Sequence, residues 1–146
     1  MSENYDAFLK KFDINNLTIY ESKYWRWSIR PLQCTVGAGI LSLIRPAETL
    51  KEITEEEGAD FSKIVSVIEN TLSKCYNQQK MNYIMLMMVD NHVHYHVIPR
   101  YDHAITINGI EYGDECWPKP PVLDVTIMDE NTRAIVFNNL KDNIVE

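Results

Sequence analysis

Apolar positions along the chain change period several times, and each change marks an element. Tyr5, Phe8, Leu9 and Phe12 lie three and four residues apart. That spacing gathers them on one helix face and predicts a short N-terminal helix ending before Asn15-Asn16. From 17 to 29 the β-branched and aromatic residues Thr18, Tyr20, Tyr24, Trp25, Trp27 and Ile29 favour extended backbone. A strand is expected over 26–29, stopped by Arg30-Pro31. Val36-Gly37-Ala38-Gly39 reads as a bend or a close packing point that feeds a strand over 40–44.

The clearest element begins at Thr54. Its hydroxyl can cap a helix, Glu57 can close a capping box, and three acidic residues sit at the positive end of the helix dipole. Phe61, Ile64, Val65, Ile68, Leu72, Cys75 and Tyr76 then recur at helical spacing over about six turns. This amphipathic helix is expected to lie on a sheet and to end in 77–80. The dense apolar run 83–89 predicts a buried central strand, and Asp90-Asn91 a hairpin turn. A strand over 92–98 follows, closed by Pro99. The stretch 102–121 holds Gly109, Gly113 and three prolines and reads mostly as loop. Ile135, Val136 and Leu140 predict a C-terminal helix over about 129–144. No repeat or linker divides the chain, so one α+β domain over 1–146 with an antiparallel sheet is expected.

Composition narrows the class. A 45% hydrophobic, 24% charged chain of 146 residues can build a core. No apolar run reaches the ~18 residues of a membrane span, and the acidic start lacks the order of a signal peptide. The expected location is the cytoplasm, with no membrane partner. Cys34, Cys75 and Cys116 are odd in number and widely spaced, which argues against a disulfide framework or a thiolate zinc site. The net charge of -7 argues against binding long nucleic acid but leaves room for a small phosphate ligand held by a local cluster.

The candidate chemistry lies in His92-Val93-His94-Tyr95-His96, which holds three of the four histidines. In a strand, residues two apart share a face, so the histidines line one side and Val93, Tyr95 and Val97 the other. Adjacent histidines stand about 6.5–7 Å apart at the backbone and the outer pair roughly 13 Å, a span that suits a chain of phosphates. Two neighbours could instead share a metal ion, with Asp90, His103 or Asp114 as a third ligand. A neutral imidazole can attack phosphorus while a neighbouring ring carries a proton to the leaving group.

The run from His92 to Tyr101, His-Val-His-Tyr-His-Val-Ile-Pro-Arg-Tyr, resembles the His-φ-His-φ-His-φ-φ signature of the histidine triad (HIT) family, φ being apolar. Arg30 to Gly37, the strand to Arg45 and the stretch 50–57 resemble the family's upstream half. Asn108-Gly109, Asp114 and Trp117-Pro118 resemble a bacterial-type, diadenosine polyphosphate hydrolase-like branch. The resemblance covers about 15–121. It implies an antiparallel half-barrel sheet with helices against it, commonly as a homodimer. It also implies hydrolysis or transfer at the α-phosphate of a nucleotide, either a dinucleoside polyphosphate or a nucleoside phosphoramidate. By position, His94 is then the nucleophile that forms a nucleotidyl-histidine. His92 and His96 hold phosphate oxygens and the leaving group. Asp90 is a candidate for ribose, and Arg100, Arg30 and Gln33 are candidates for phosphate. No cofactor or metal is called for. Many relatives carry a fourth histidine upstream, where this chain has Ala38 and Pro46. That departure motivates a second hypothesis, a nucleotide-binding or signalling module with little or no catalysis. The third is a metal site on two triad histidines.

Overall fold

The computed structural model describes residues 2–146. Helix α1 (Ser2–Lys11) stops where Asp13 takes a left-handed conformation (φ 51°), and one further turn of helix, α2 (Ile14–Leu17), follows. Asn15 and Asn16 lie inside that turn, so extended structure starts at Thr18 and not at Leu17. Strands β1 (Thr18–Glu21), β2 (Trp25–Ile29) and β3 (Gly39–Leu43) form an antiparallel meander. The long helix α3 (Glu55–Tyr76) then crosses to β4 (Lys80–Ile84) and β5 (His94–Arg100). The five-stranded sheet runs β1-β2-β3-β5-β4. A small hairpin, β6 (Ile105–Ile107) and β7 (Ile110–Tyr112), occupies part of the stretch read as loop. Its turn is Asn108-Gly109, both at positive φ. Helix α4 (Glu130–Asp142), capped by the Asp129 carboxylate on the Thr132 amide, closes the chain.

The capping box at Thr54 forms: the Glu57 amide donates to its hydroxyl and its own amide donates to the Glu57 carboxylate. Ile64, Ile68 and Leu72 of α3 pack on one sheet face against Trp25, Trp27, Ile29, Leu41, Leu43, Val93 and Val97. That face is almost wholly apolar. Trp25 Nε1 finds the Glu57 carbonyl at 2.8 Å, which satisfies the buried indole. The bend at 36–39 is a close packing point. Gly37 sits at φ 86°, and a Cβ on Gly39 would stand 2.8 Å from the Ser28 carbonyl oxygen.

The apolar run 83–89 needs correction. It does not form a buried central strand: β4 ends at Ile84 and lies at the sheet edge. Beyond it Leu86, Met88 and Val89 are exposed. Asp90-Asn91 is no tight hairpin turn either, since the connection spans 85–93 without regular structure. Strand β5 starts at His94, two residues later than expected, and passes through Pro99 to Arg100. Proline is tolerated there because no ladder amide is needed of it. Among the described residues no helix is long and apolar enough to cross a membrane.

Candidate active site

Register assigns the second face of the sheet. Ser42 stands opposite His94 and Ile40 opposite His96, while Arg26 stands opposite Ser42 and Ser28 opposite Ile40. Directly opposed residues point to the same side. One face therefore carries Arg26, Ser28, Ser42, His94 and His96, with Arg30 continuing the alternation of β2. His92, two residues before His94, points the same way, its ring close to the aromatic rings that also contact His94.

Expectation and structure part company over access. A face that binds a chain of phosphates calls for an open cleft, yet His92, His94 and His96 are 1%, 2% and 7% exposed. Helix α1 lies over them. The Tyr5 ring is 4.5 Å from His92, Phe8 is 4.9 Å from both His92 and His94, and Phe12 is 6.1 Å from both His94 and His96. The amphipathic stripe of α1 was legible; the face it covers was not.

Hydrogen bonding assigns the tautomers. His94 Nδ1 contacts the His92 carbonyl oxygen. A carbonyl only accepts, so Nδ1 carries the proton and the neutral ring keeps its lone pair on Nε2. His92 Nε2 contacts the Leu43 carbonyl at 2.7 Å and is likewise the protonated nitrogen. His94 and His96 are 5.1 Å apart, ring to ring, nearly perpendicular. Burial pushes the pKa of all three down from the ordinary 6.5, to about 4 for His92 and about 3 for His96. Near pH 7 the rings are neutral, the state a nitrogen nucleophile requires.

Arg30 is the telling neighbour. It is 6% exposed, and its charge depresses both His94 and His96. It donates from Nη1 to the Leu123 carbonyl at 2.9 Å, yet it meets no carboxylate within ion-pair distance among the described residues. Its Nε, together with His92 Nδ1, His96 Nδ1 and Ser28 Oγ, is buried without a hydrogen-bond partner among the described residues. Each such group costs about 1–3 kcal/mol. A buried cation with unpaired donors, Arg30 Nε and the Ser28 hydroxyl, on one sheet face is what an anionic ligand would complete.

The remaining candidates go elsewhere. Arg100 shares the triad's face but is held by Asp114 (Nε to Oδ2, 2.7 Å), Asn82 and the Lys119 carbonyl. Gln33 is fully buried and staples its own loop, donating to the Arg30 and Ala38 carbonyls and accepting from the Gly37 amide. Asp90 forms an ion pair with Lys11 at 2.8 Å. His103 pairs with Asp102. Among the described residues no group of three or more His, Cys, Asp or Glu is placed to hold a metal ion. Sequence reasoning missed Arg26, Ser28 and Ser42, although the alternation Arg26-Trp27-Ser28-Ile29-Arg30 carries the signal for the first two.

A meander closed by a histidine strand, with a long helix on its apolar side, defines an α+β fold of the histidine triad type. Solved structures agree. A histidine triad protein from Sinorhizobium meliloti 1021 superposes with a TM-score of 0.72 at 19% identity, covering 95% of each chain. A hypothetical histidine triad nucleotide-binding protein from Sulfolobus tokodaii strain7 gives 0.65 at 14% identity, over 87% of this chain and 82% of that one. A zinc-bound histidine triad family protein from Mycobacterium smegmatis gives 0.59 at 15%, over 86% and 84%. At these identities the likeness is one of fold. No family model matches the sequence, and no curated protein matches it.

Proposed function

We propose that this chain is a histidine triad enzyme, a nucleotide hydrolase or nucleotidyl transferase that acts at the α-phosphate through His94. The observation that carries the proposal is the buried Arg30, without a carboxylate, beside three neutral histidines on one strand face. His94 Nε2 attacks phosphorus in line. The P–N bond forms as the bond to the leaving oxygen breaks, and a proton from solvent goes to that oxygen, or the oxygen leaves as a phosphate anion that needs none. Water then opens the P–N bond and releases the nucleotide. Arg30 balances the charge developing on the phosphoryl oxygens. His92 holds His94 through its carbonyl, which accepts the His94 Nδ1 proton and keeps the Nε2 lone pair free for attack. A dinucleoside polyphosphate or a nucleoside phosphoramidate is the substrate class, as in the diadenosine polyphosphate hydrolase-like branch. The Sulfolobus neighbour is a hypothetical histidine triad nucleotide-binding protein, which supports the ligand class. The edge strand β4 and the exposed Leu86, Met88 and Val89 in the connection after it supply a surface for a homodimer.

Intact-protein mass spectrometry tests the central step. After a brief acid-free quench with diadenosine tetraphosphate, wild type gains the mass of one nucleotide and His94→Ala does not. No adduct and no turnover across a panel of nucleoside phosphates would overturn the enzyme reading.

A further inference from the structure

The two faces of the sheet are covered by helices in different ways. Under α3 the floor is tryptophan, leucine, isoleucine and valine. Under α1 a single apolar residue, Ile40, meets Phe8 and Phe12; around it lie the three histidines with Ser28, Ser42 and Arg30 nearby, and several of their polar atoms have no partner among the described residues. Phe8 and Phe12 offer those atoms no hydrogen bond. An apolar stripe on a largely polar floor is a poor permanent contact, because it withdraws the polar atoms from water and returns no hydrogen bond for them. The floor therefore fits a different occupant from the one that covers it.

The attachment of α1 has the same character. Its hydrogen-bonded backbone is internal to the helix, so lifting it breaks no sheet ladder. Three side chains tie it down: Lys11 to Asp90, Asn4 to Glu48 at 2.9 Å, and Tyr5 Oη to the Ile44 carbonyl. Two of the three ties are exposed, Lys11 being 51% accessible, and exposed pairs hold weakly. Asp13, at φ 51°, separates α1 from Ile14, which is fully buried. The chain thus has a pivot with an anchor just beyond it.

We propose that α1 is an autoinhibitory cover: it occupies the place of the nucleotide over the triad, swings about Asp13 to admit it, and is latched by Lys11 on Asp90. The proposal rests on the nucleotide reading of the site for the identity of the ligand. It does not rest on catalysis. Closure lowers apparent affinity in proportion to the fraction of molecules left open, so loosening the latch raises affinity without touching the site.

The test uses the full chain and a built-in reference. His103 is exposed and lies outside the covered face. Diethyl pyrocarbonate should modify His103 readily in wild type and the triad slowly. Lys11→Glu places like charges together at the latch. It should speed modification of the triad by about tenfold with His103 unchanged, and speed amide hydrogen exchange in residues 2–12. The swap Lys11→Glu with Asp90→Lys restores an ion pair and should return both rates toward wild type. AMP at saturation should deprotect the α1 amides while protecting the triad. Triad modification as fast as that of His103 in wild type, or unaltered by Lys11→Glu, would overturn the cover. So would AMP binding, seen by calorimetry, with α1 exchange unchanged. If no protein binds AMP, the nucleotide reading fails, and the two modification rates still decide whether α1 is a cover.

Discussion

Arg30→Met separates a ligand-binding arginine from a structural strut, because the two roles predict opposite signs for stability. The variant keeps the length of the aliphatic stem and removes the charge. On the debit side it loses the 2.9 Å bond to the Leu123 carbonyl, worth about 1.5–3 kcal/mol for a charged donor, and two longer, weaker contacts of the same Nη1, to the Leu32 carbonyl at 3.4 Å and Cys34 Sγ at 3.8 Å. Leu123 is half-buried, so water can reach the carbonyl left behind. On the credit side it removes a buried cation that meets no carboxylate among the described residues, whose desolvation costs several kcal/mol, and an unpaired Nε costing about 1–3 kcal/mol. The apoprotein should therefore be as stable as wild type or more stable, by up to about 3 kcal/mol. Binding should move the other way. Losing one charge-assisted bond to phosphate costs about 1.5–3 kcal/mol, or roughly 10- to 150-fold in Kd for AMP. Removing the Arg30 charge should also raise the pKa of His94 and His96, both of which it depresses. Urea unfolding, AMP calorimetry and imidazole proton shifts read the three quantities. A variant destabilised by more than about 2 kcal/mol with AMP affinity intact would refute the assignment and make Arg30 a strut for the 123 loop.

Four further outcomes follow from the same geometry. His94→Ala should cut turnover by about 10⁴-fold or more with the circular dichroism spectrum retained; turnover within tenfold of wild type would remove His94 from the chemistry. The triad should make the protein acid-labile. As pH falls below 6.5 the unfolded chain protonates its histidines first, while folded His92 waits until about pH 4 and His96 until about pH 3. Stability should then fall by at most about 1.4 kcal/mol per pH unit for each histidine, beginning above the carboxylate range, and a flat profile from pH 6.5 to 5 would contradict it. Asp114→Ala should lose about 3–5 kcal/mol in urea titration, because it leaves the buried guanidinium of Arg100 without its carboxylate. Thr54→Ala should cost about 1 kcal/mol through the helix cap and leave turnover unchanged.

What was legible in the sequence was whatever depends on one element alone. The cap at Thr54 and the stripe from Phe61 to Tyr76 define α3, because a cap and a 3.6-residue period are local facts. The alternation around His94 sorts β5 into two faces for the same reason. The apolar run 83–89 failed because composition does not distinguish a central strand from an edge strand followed by an exposed loop. Only the pairing partners of Tyr83 and Ile84 do that, and they come from β5 alone. Arg30 and Arg100 were equal candidates, since each is a basic residue bordering a strand. Their difference lies fourteen residues downstream of Arg100, where Asp114 neutralises one and leaves the other uncompensated.

The same limit explains the covered triad, and it also explains what the cover implies. A helix with Phe8 and Phe12 on one face will seek apolar surface, and by periodicity alone it fits either side of the sheet. The better side is already taken by α3, which is twice as long and capped at its start. Helix α1 is left with the histidine face, where Ile40 is its main fully buried apolar contact on the sheet. An element confined to its second-best surface is one that a ligand with better chemistry for that surface can displace. Arg30 Nε and the Ser28 hydroxyl retain the unsatisfied donors that such a ligand would need, and they retain them because the helix above cannot use them.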